Sequence, residues 1–332
     1  MKKLLSLLVV LLTTLATQAG QPFRFHEDGK FRIMQLTDLH FNGSDTWQSE
    51  HVPGMLLRMI RAEQPDLIVV TGDLVYREPG AALLCSICGT IASSGVPYAV
   101  ALGNHDAEQN ITPDELYALI RTLPDCVNGR YNAPDERQGD FVIPVRSQDG
   151  KREEARLYVM DSNDYNADDH SYKGFTAEQV DWYKAQCAEA AAHNGRRANA
   201  LIFFHVPLTE YGEAYRTGLI CGARLENECP PRDNTGMFRA LADGGEVTGV
   251  FAGHDHSNNY VAQKEGIALV YGQYSGGYAE YQELVSGARV IELTEGRPGF
   301  TTWVRFANGR QKYKVDFPKQ FIHTNSIKTD EP

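Results

Sequence analysis

The chain reads as an α/β protein in which helices pack around mixed β-sheets. Three observations predict this. Short apolar strands alternate with helical stretches along most of its 332 residues. The hydrophobic content of 42% is enough for a substantial core. No internal repeat or low-complexity linker breaks the alternation, which points to one domain over residues 20–332.

Taken in order, Arg32 to Leu36 is a short strand. Met55 to Ala62 has helical spacing, and Pro65-Asp66 turns the chain into Leu67-Ile68-Val69-Val70, a strand of the fully buried kind. Ala81 to Ser93 is the next helix and Tyr98 to Leu102 the next strand. Leu157 to Met160 is a further strand. Thr176 and Gln179 have the spacing of a capping box, opening a helix that runs to about Ala192. Leu201 to Phe204, Val247 to Phe251 and Ile267 to Tyr271 are strands, and Val290 to Leu293 with Thr302 to Phe306 reads as a hairpin.

The first 19 residues read as an address. Lys2 and Lys3 precede the apolar run Leu4 to Leu12, and small residues lead to Ala19, the order of a cleaved secretory signal peptide. The run is short against the roughly 20 residues a membrane helix needs. No later segment is long and apolar enough to span. Export to the periplasm or medium is therefore expected, and it makes disulfides possible. Of the six cysteines, Cys221 and Cys229 flank a loop and are the best candidate pair, while Cys85 and Cys88 lie in a helical stretch and read as buried or bonded. Acidic residues outnumber basic ones, 43 to 32, for a net charge of −11. That balance argues against a nucleic-acid-binding surface. It leaves room for a small phosphorylated substrate, because bound metals invert the local field. Oligomeric state is not legible.

Chemistry gathers where the strands end. Five motifs appear in order: Asp38-Leu39-His40, Gly72-Asp73-Leu74-Val75-Tyr76, Gly103-Asn104-His105-Asp106, His205 in Phe-Phe-His-Val-Pro, and Gly253-His254-Asp255-His256. Strand ends aim polar side chains from a rigid base into one crevice. Carboxylate, imidazole and amide suit zinc, iron or manganese. Singly, each motif has a plainer reading: a hydrogen-bonded turn, a helix cap or a core histidine. Five in this order, each after a strand, point to a metal site.

This ordered set resembles the calcineurin-like metallophosphoesterase family, in its purple-acid-phosphatase-like branch, from about Arg32 to Tyr271. The resemblance implies a four-layer α/β/β/α sandwich of two mixed β-sheets flanked by helices. It implies two divalent or trivalent metal ions: Asp38, His40 and His256 on the first, Asn104, His205 and His254 on the second, and Asp73 bridging both. His105 would touch the substrate and protonate the leaving oxygen, with Asp106 orienting it by accepting a hydrogen bond. Asn104 and Tyr274 are further candidates for substrate contact. Tyr76 fits the Gly-Asp-x-x-Tyr pattern of purple acid phosphatases, whose tyrosine binds ferric iron. Those enzymes carry Asp-x-Gly in the first motif, however, and here His40 takes that place, so Tyr76 is expected to pack nearby without ligating. Tyr165, Asp168, Asp169 and His170 read as a solvated loop near the rim.

The implied activity is hydrolysis of phosphate esters by water activated between two metals, with phosphomonoesters ahead of phosphodiesters such as cyclic nucleotides, glycerophosphodiesters or lipid headgroups. A non-catalytic phosphate-binding module ranks third.

Overall fold

The computed structural model describes residues 22–132, 137–194, 197–216, 219–277 and 285–320. The leader 1–19 lies outside the described residues. Strands β1 (Phe23–Arg24), β5 (Phe141–Arg146), β6 (Glu153–Val159), β7 (Asn199–Phe203), β8 (Val247–Ala252), β10 (Ile267–Tyr271) and β9 (Val261–Lys264) form one sheet in that spatial order. Strands β13 (Gln311–Phe317), β12 (Phe300–Phe306), β11 (Gly287–Thr294), β2 (Lys30–Leu36), β3 (Leu67–Thr71) and β4 (Tyr98–Ala101) form the other. Within the second sheet β2, β3 and β4 run parallel, and so do β6, β7, β8 and β10 in the first.

The apolar runs of the central strands follow from burial on both faces. Ile33, Leu67, Val69, Ala99 and Ala101 of one sheet meet Leu157, Val159, Leu201, Phe203 and Phe251 of the other in a shared inner core. Their alternate neighbours Met34, Leu36, Ile68, Val70 and Val100 turn outward. There they pack on α1 (Thr46–Glu63), α2 (Gly80–Ala92) and α3 (Pro113–Ile120). On the far side Tyr158, Ile202, Phe204 and Val250 pack with residues of α5 (Ala177–Asn194), α6 (Glu210–Tyr215) and α7 (Met237–Gly244). A short helix α4 (Asn128–Tyr131) sits between α3 and β5. The result is the four-layer α/β/β/α sandwich.

Local chemistry explains the boundaries. Helix α5 opens on the expected capping box, with Thr176 N–H donating to Gln179 Oε1 (3.0 Å) and Gln179 N–H to Thr176 Oγ1 (3.4 Å). Helix α1 starts nine residues earlier than its apolar spacing suggested, because Asp45 caps it through Gln48 N–H (3.0 Å) and the helix carries Pro53 inside it. Strands β11 and β12 form the expected antiparallel hairpin. Between the sheets lies Arg289, fully buried on β11. It donates to Tyr271 O (2.6 Å), Asn259 O (2.5 Å) and Thr302 Oγ1 (3.2 Å), tying the two sheets together.

The cysteines depart from expectation, since all six are free thiols. Cys221 is buried and pairs by backbone with Val261, whereas Cys229 is exposed and its N–H donates to Asp255 Oδ2 (3.3 Å). Cys85 and Cys88 fall on α2 as predicted, Cys88 buried.

Candidate metal centre

Five loops leave the same end of the two sheets, after β2, β3 and β4 of one and β7 and β8 of the other. Backbone bonds lock them side by side. Asp38 N–H donates to Gly72 O (3.1 Å), His40 N–H to Asp73 O (2.9 Å), and Gly253 N–H to His205 O (3.0 Å). His254 N–H reaches across to the Asp38 carboxylate at 3.0 and 3.1 Å. Glycine is required at position 72. Its φ is +83°, and a Cβ there would lie 2.5 Å from His205 Nδ1.

These loops bring every expected ligand together. Asp38, His40, Asp73 and His256 present ligand atoms that all lie within 4.8 Å of one another, and Asp73, His205 and His254 form a second such group. Asp73 belongs to both. Asn104 joins the second group, its Oδ1 3.1 Å from His205 Nε2. His254 Nδ1 is 3.3 Å from the same nitrogen, and Asp73 Oδ2 is 3.2 Å from it. His205 Nδ1 is engaged by Thr71 O (2.8 Å), which turns Nε2 toward the cluster. His40 Nε2 is buried with no hydrogen-bond partner and lies 3.4 Å from Asp73 Oδ2.

The backbone is held in unusual conformations at the same place. Asp38 (φ 53°), His40 (φ 44°), Asp73 (φ 51°) and His254 (φ 79°) all occupy the left-handed region. Strain of this kind costs on the order of 1–3 kcal/mol per residue and persists where the surroundings over-determine it, which is typical of functional sites.

The carboxylates set the electrostatics of the cluster. Burial works to lower the His205 pKa, but Asp73 and Asp38 outweigh it and push it up to about 10. His40 is raised too, burial being overcome by Asp73 and Asp38. Asp73 is held well below the usual carboxylate range, its burial outweighed by His205 and His40. His256 is pushed down to about 4 by burial and by neighbouring imidazoles, against the pull of Asp38 and Asp73, and His254 is lowered by burial and His205. The carboxylates thus favour positive charge beside Asp73, while burial disfavours it on His254 and His256. Buried carboxylate, imidazole and amide donors converging around one shared carboxylate fit a pair of hard or borderline metal ions.

Two expectations change. Asp106 does not hold His105. It is fully buried, with Oδ1 accepting from Leu74 N–H (2.8 Å) and Val75 N–H (3.1 Å) and Oδ2 from Gly103 N–H (2.8 Å). A short 3-10 turn over Asp106–Glu108 aims it inward and places Glu108 at the surface instead. Glu108 Oε2 lies 2.7 Å from His105 Nδ1. Tyr274 is not placed to meet a substrate, being only 1% exposed, with its ring 5.2 Å from that of His256, which it backs.

His105 itself is partly exposed beside the first group, its ring 5.3 Å from that of His40, and its N–H donates to Asp73 Oδ1 (2.9 Å). Tyr76 packs on both rings at 5.2 Å. The loop after β6 turns out to belong to the site. Tyr165 Oη accepts from Asn104 Nδ2 (2.8 Å), and the Tyr172 ring stands 4.3 Å from that of His254. Asp168 and Asp169 instead hold Arg232 at 2.9 Å. Nothing in the polar sequence around Tyr165 marks it, whereas the three-residue step from His105 to Glu108 was a usable signal.

The fold and these two candidate ligand groups are those of the metallophosphoesterase class. The calcineurin-like phosphoesterase family model matches residues 31–258, which contain all five motifs, and the chain belongs to that family. Relatives place it among purple-acid-phosphatase-like proteins. It is 29% identical over 326 residues to probable inactive purple acid phosphatase 14 of Arabidopsis thaliana, covering 85% of this chain and 79% of that protein. It is 35% identical over 109 residues, 29% of this chain and 38% of the relative, to a probable cyclic nucleotide phosphodiesterase of Psychrobacter arcticus. In fold it resembles a dimetal phosphatase from Danio rerio at 13% identity, with a TM-score of 0.56 over 85% of this chain and 99% of that one. Among the described residues, no helix is long and apolar enough to cross a membrane.

Proposed function

We propose that the protein hydrolyses phosphate esters, phosphomonoesters foremost, at this centre. The observation that carries the reading is Asp73, a buried carboxylate common to two groups of side chains that could each hold a metal ion. Two ions of iron, manganese or zinc held there would activate water and draw charge from the phosphoryl oxygens. The chain's own residues supply the rest. Asp38 and Asp73 are fixed by His254 N–H and His105 N–H, so the donors are set before substrate arrives. With Nδ1 bonded to Glu108, the His105 ring turns Nε2 to the leaving alcohol oxygen; in its doubly protonated form it would deliver the Nε2 proton there and be left as the Nδ1–H tautomer. Tyr165 and Tyr172 wall the Asn104 and His254 side and limit bulk water there.

Two other readings have specific support. The Psychrobacter relative favours a phosphodiesterase. The word inactive in the names of the Arabidopsis relatives favours a phosphate-binding module without turnover. Against the latter stands the filled ligand set with His105 beside it. A substrate panel on metal-reconstituted protein decides, comparing aryl monoesters with bis-aryl and cyclic diesters. Faster monoester turnover is expected. Faster diester turnover would select the second reading, and two bound metals without turnover the third. We further propose that residues 1–19 are a leader removed on export, to be checked by N-terminal sequencing of protein from the periplasm and medium.

A further inference from the structure

We infer that Glu108 and Tyr165 form a positioning pair that sets, through one carboxylate, both the direction of the Asn104 amide and the tautomer of His105. The inference rests on the hydrolase reading for the role of His105, but its hydrogen-bond logic stands on geometry alone. Asn104 Nδ2 lies 2.8 Å from Tyr165 Oη, and Tyr165 Oη lies 3.0 Å from Glu108 Oε1. Glu108 Oε2 lies 2.7 Å from His105 Nδ1. An ionised carboxylate only accepts hydrogen bonds. Tyr165 must therefore spend its single proton on Glu108, and its lone pair is left to accept from Asn104. That orients the amide with NH2 outward and Oδ1 inward, 3.1 Å from His205 Nε2, where the second ligand group needs an oxygen. On the other arm the carboxylate demands a proton on His105 Nδ1, which leaves Nε2 as the nitrogen facing the open side of the site. Asn104 and His105 are adjacent in the chain and serve different tasks, and the pair fixes both.

Neither residue is a metal ligand or touches the reacting atoms in this scheme, so each is a positioning residue. A filler role and a directing role can be told apart with Glu108→Gln. Glutamine has the same shape but offers one acceptor and one donor where the carboxylate offers two acceptors. If Glu108 only fills space, the variant behaves as wild type. If it directs protons, at least one arm fails: either His105 loses its Nδ1–H partner or the Asn104 amide is driven to flip.

The test uses the full chain loaded with zinc. Three quantities are read: zinc affinity at each site, the ratio of kcat for an alkyl phosphate to that for 4-nitrophenyl phosphate, and the His105 tautomer by long-range 1H–15N NMR. For Glu108→Gln we expect a loss of about 10–100-fold in the affinity of one zinc site or in the alkyl-to-aryl ratio, the size typical of outer partners of a metal site. Tyr165→Phe is expected to weaken one zinc site about tenfold while leaving that ratio and the His105 tautomer as they were. Wild-type values for Glu108→Gln in all three readouts would overturn the inference. Absence of turnover in the wild type would sink the hydrolase reading alone, since zinc affinity and the tautomer still decide this one.

Discussion

Asp73 concentrates the account at the scale of single residues. Buried, in left-handed backbone and shared by both ligand groups, it is the side chain whose loss should empty the centre. Asp73→Ala is expected to bind neither metal by elemental analysis, and retention of both would contradict the bridging role. His105→Ala should keep both metals and lose about 10²–10⁴-fold in turnover of alkyl phosphates, with a smaller loss on aryl esters that need no acid. Proton competition sets a pH dependence. Without metal, Asp73 and Asp38 overcome burial and hold a proton on His205 up to about pH 10. A metal must displace that proton, so affinity should fall as pH drops and rise as it climbs, as manganese titrations at pH 5.5, 7 and 8.5 (about 1.5 units apart) would show. All seven residues of the two candidate ligand groups could be picked out from the sequence, because each motif is local and follows its strand directly. The partner of His105 was not. Adjacency favoured Asp106, and only the turn geometry shows that Asp106 points to the backbone while Glu108 reaches the ring. The burial of Tyr274 was not legible either, since nothing in the run Gly272-Gln273-Tyr274-Ser275 tells a buried tyrosine from an exposed one.

At the scale of elements, the central strands were readable because both faces are buried and their sequences run apolar without a break. Edge strand β13 was not, since Gln311–Phe317 is largely polar and half-exposed. Helix α3 carries a Thr112–Glu115 capping box that was there to be read. The loops, rather than the strands, are where stability and site geometry meet. Asp106 ties the β3 loop to the β4 loop through three backbone N–H groups. Asp106→Ala strands all three in a buried setting and should cost at least about 3 kcal/mol, lowering both Tm and metal affinity. An unchanged Tm would remove that role. Arg289→Ala should cost a similar amount, about 3 kcal/mol, because it leaves buried carbonyls of Tyr271 and Asn259 unpaired between the sheets.

At the scale of the whole molecule, two sheets with separate helical layers contribute to one centre. Asp38, His40, Asp73 and Asn104 come from one sheet, and His205, His254 and His256 from the other. Metals binding there would therefore stabilise the packing of one sheet on the other as well as the site. Metal at 100 times its dissociation constant stabilises the folded state by about 2.7 kcal/mol per site. Chelation should lower Tm by several degrees in calorimetry, and the shift should vanish in Asp73→Ala. The sandwich itself follows from strand–helix alternation only as an α/β class. Its two-sheet layering came from the resemblance carried by the motifs, because no strand's sequence says which sheet it joins.

Anomalous diffraction from crystals of the manganese-loaded protein tests the central claim most directly. Two peaks are predicted about 3.5–4 Å apart. One should be bounded by Asp38, His40 and His256 and the other by Asn104, His205 and His254, with Asp73 between them. A single peak, or peaks away from Asp73, would contradict the account.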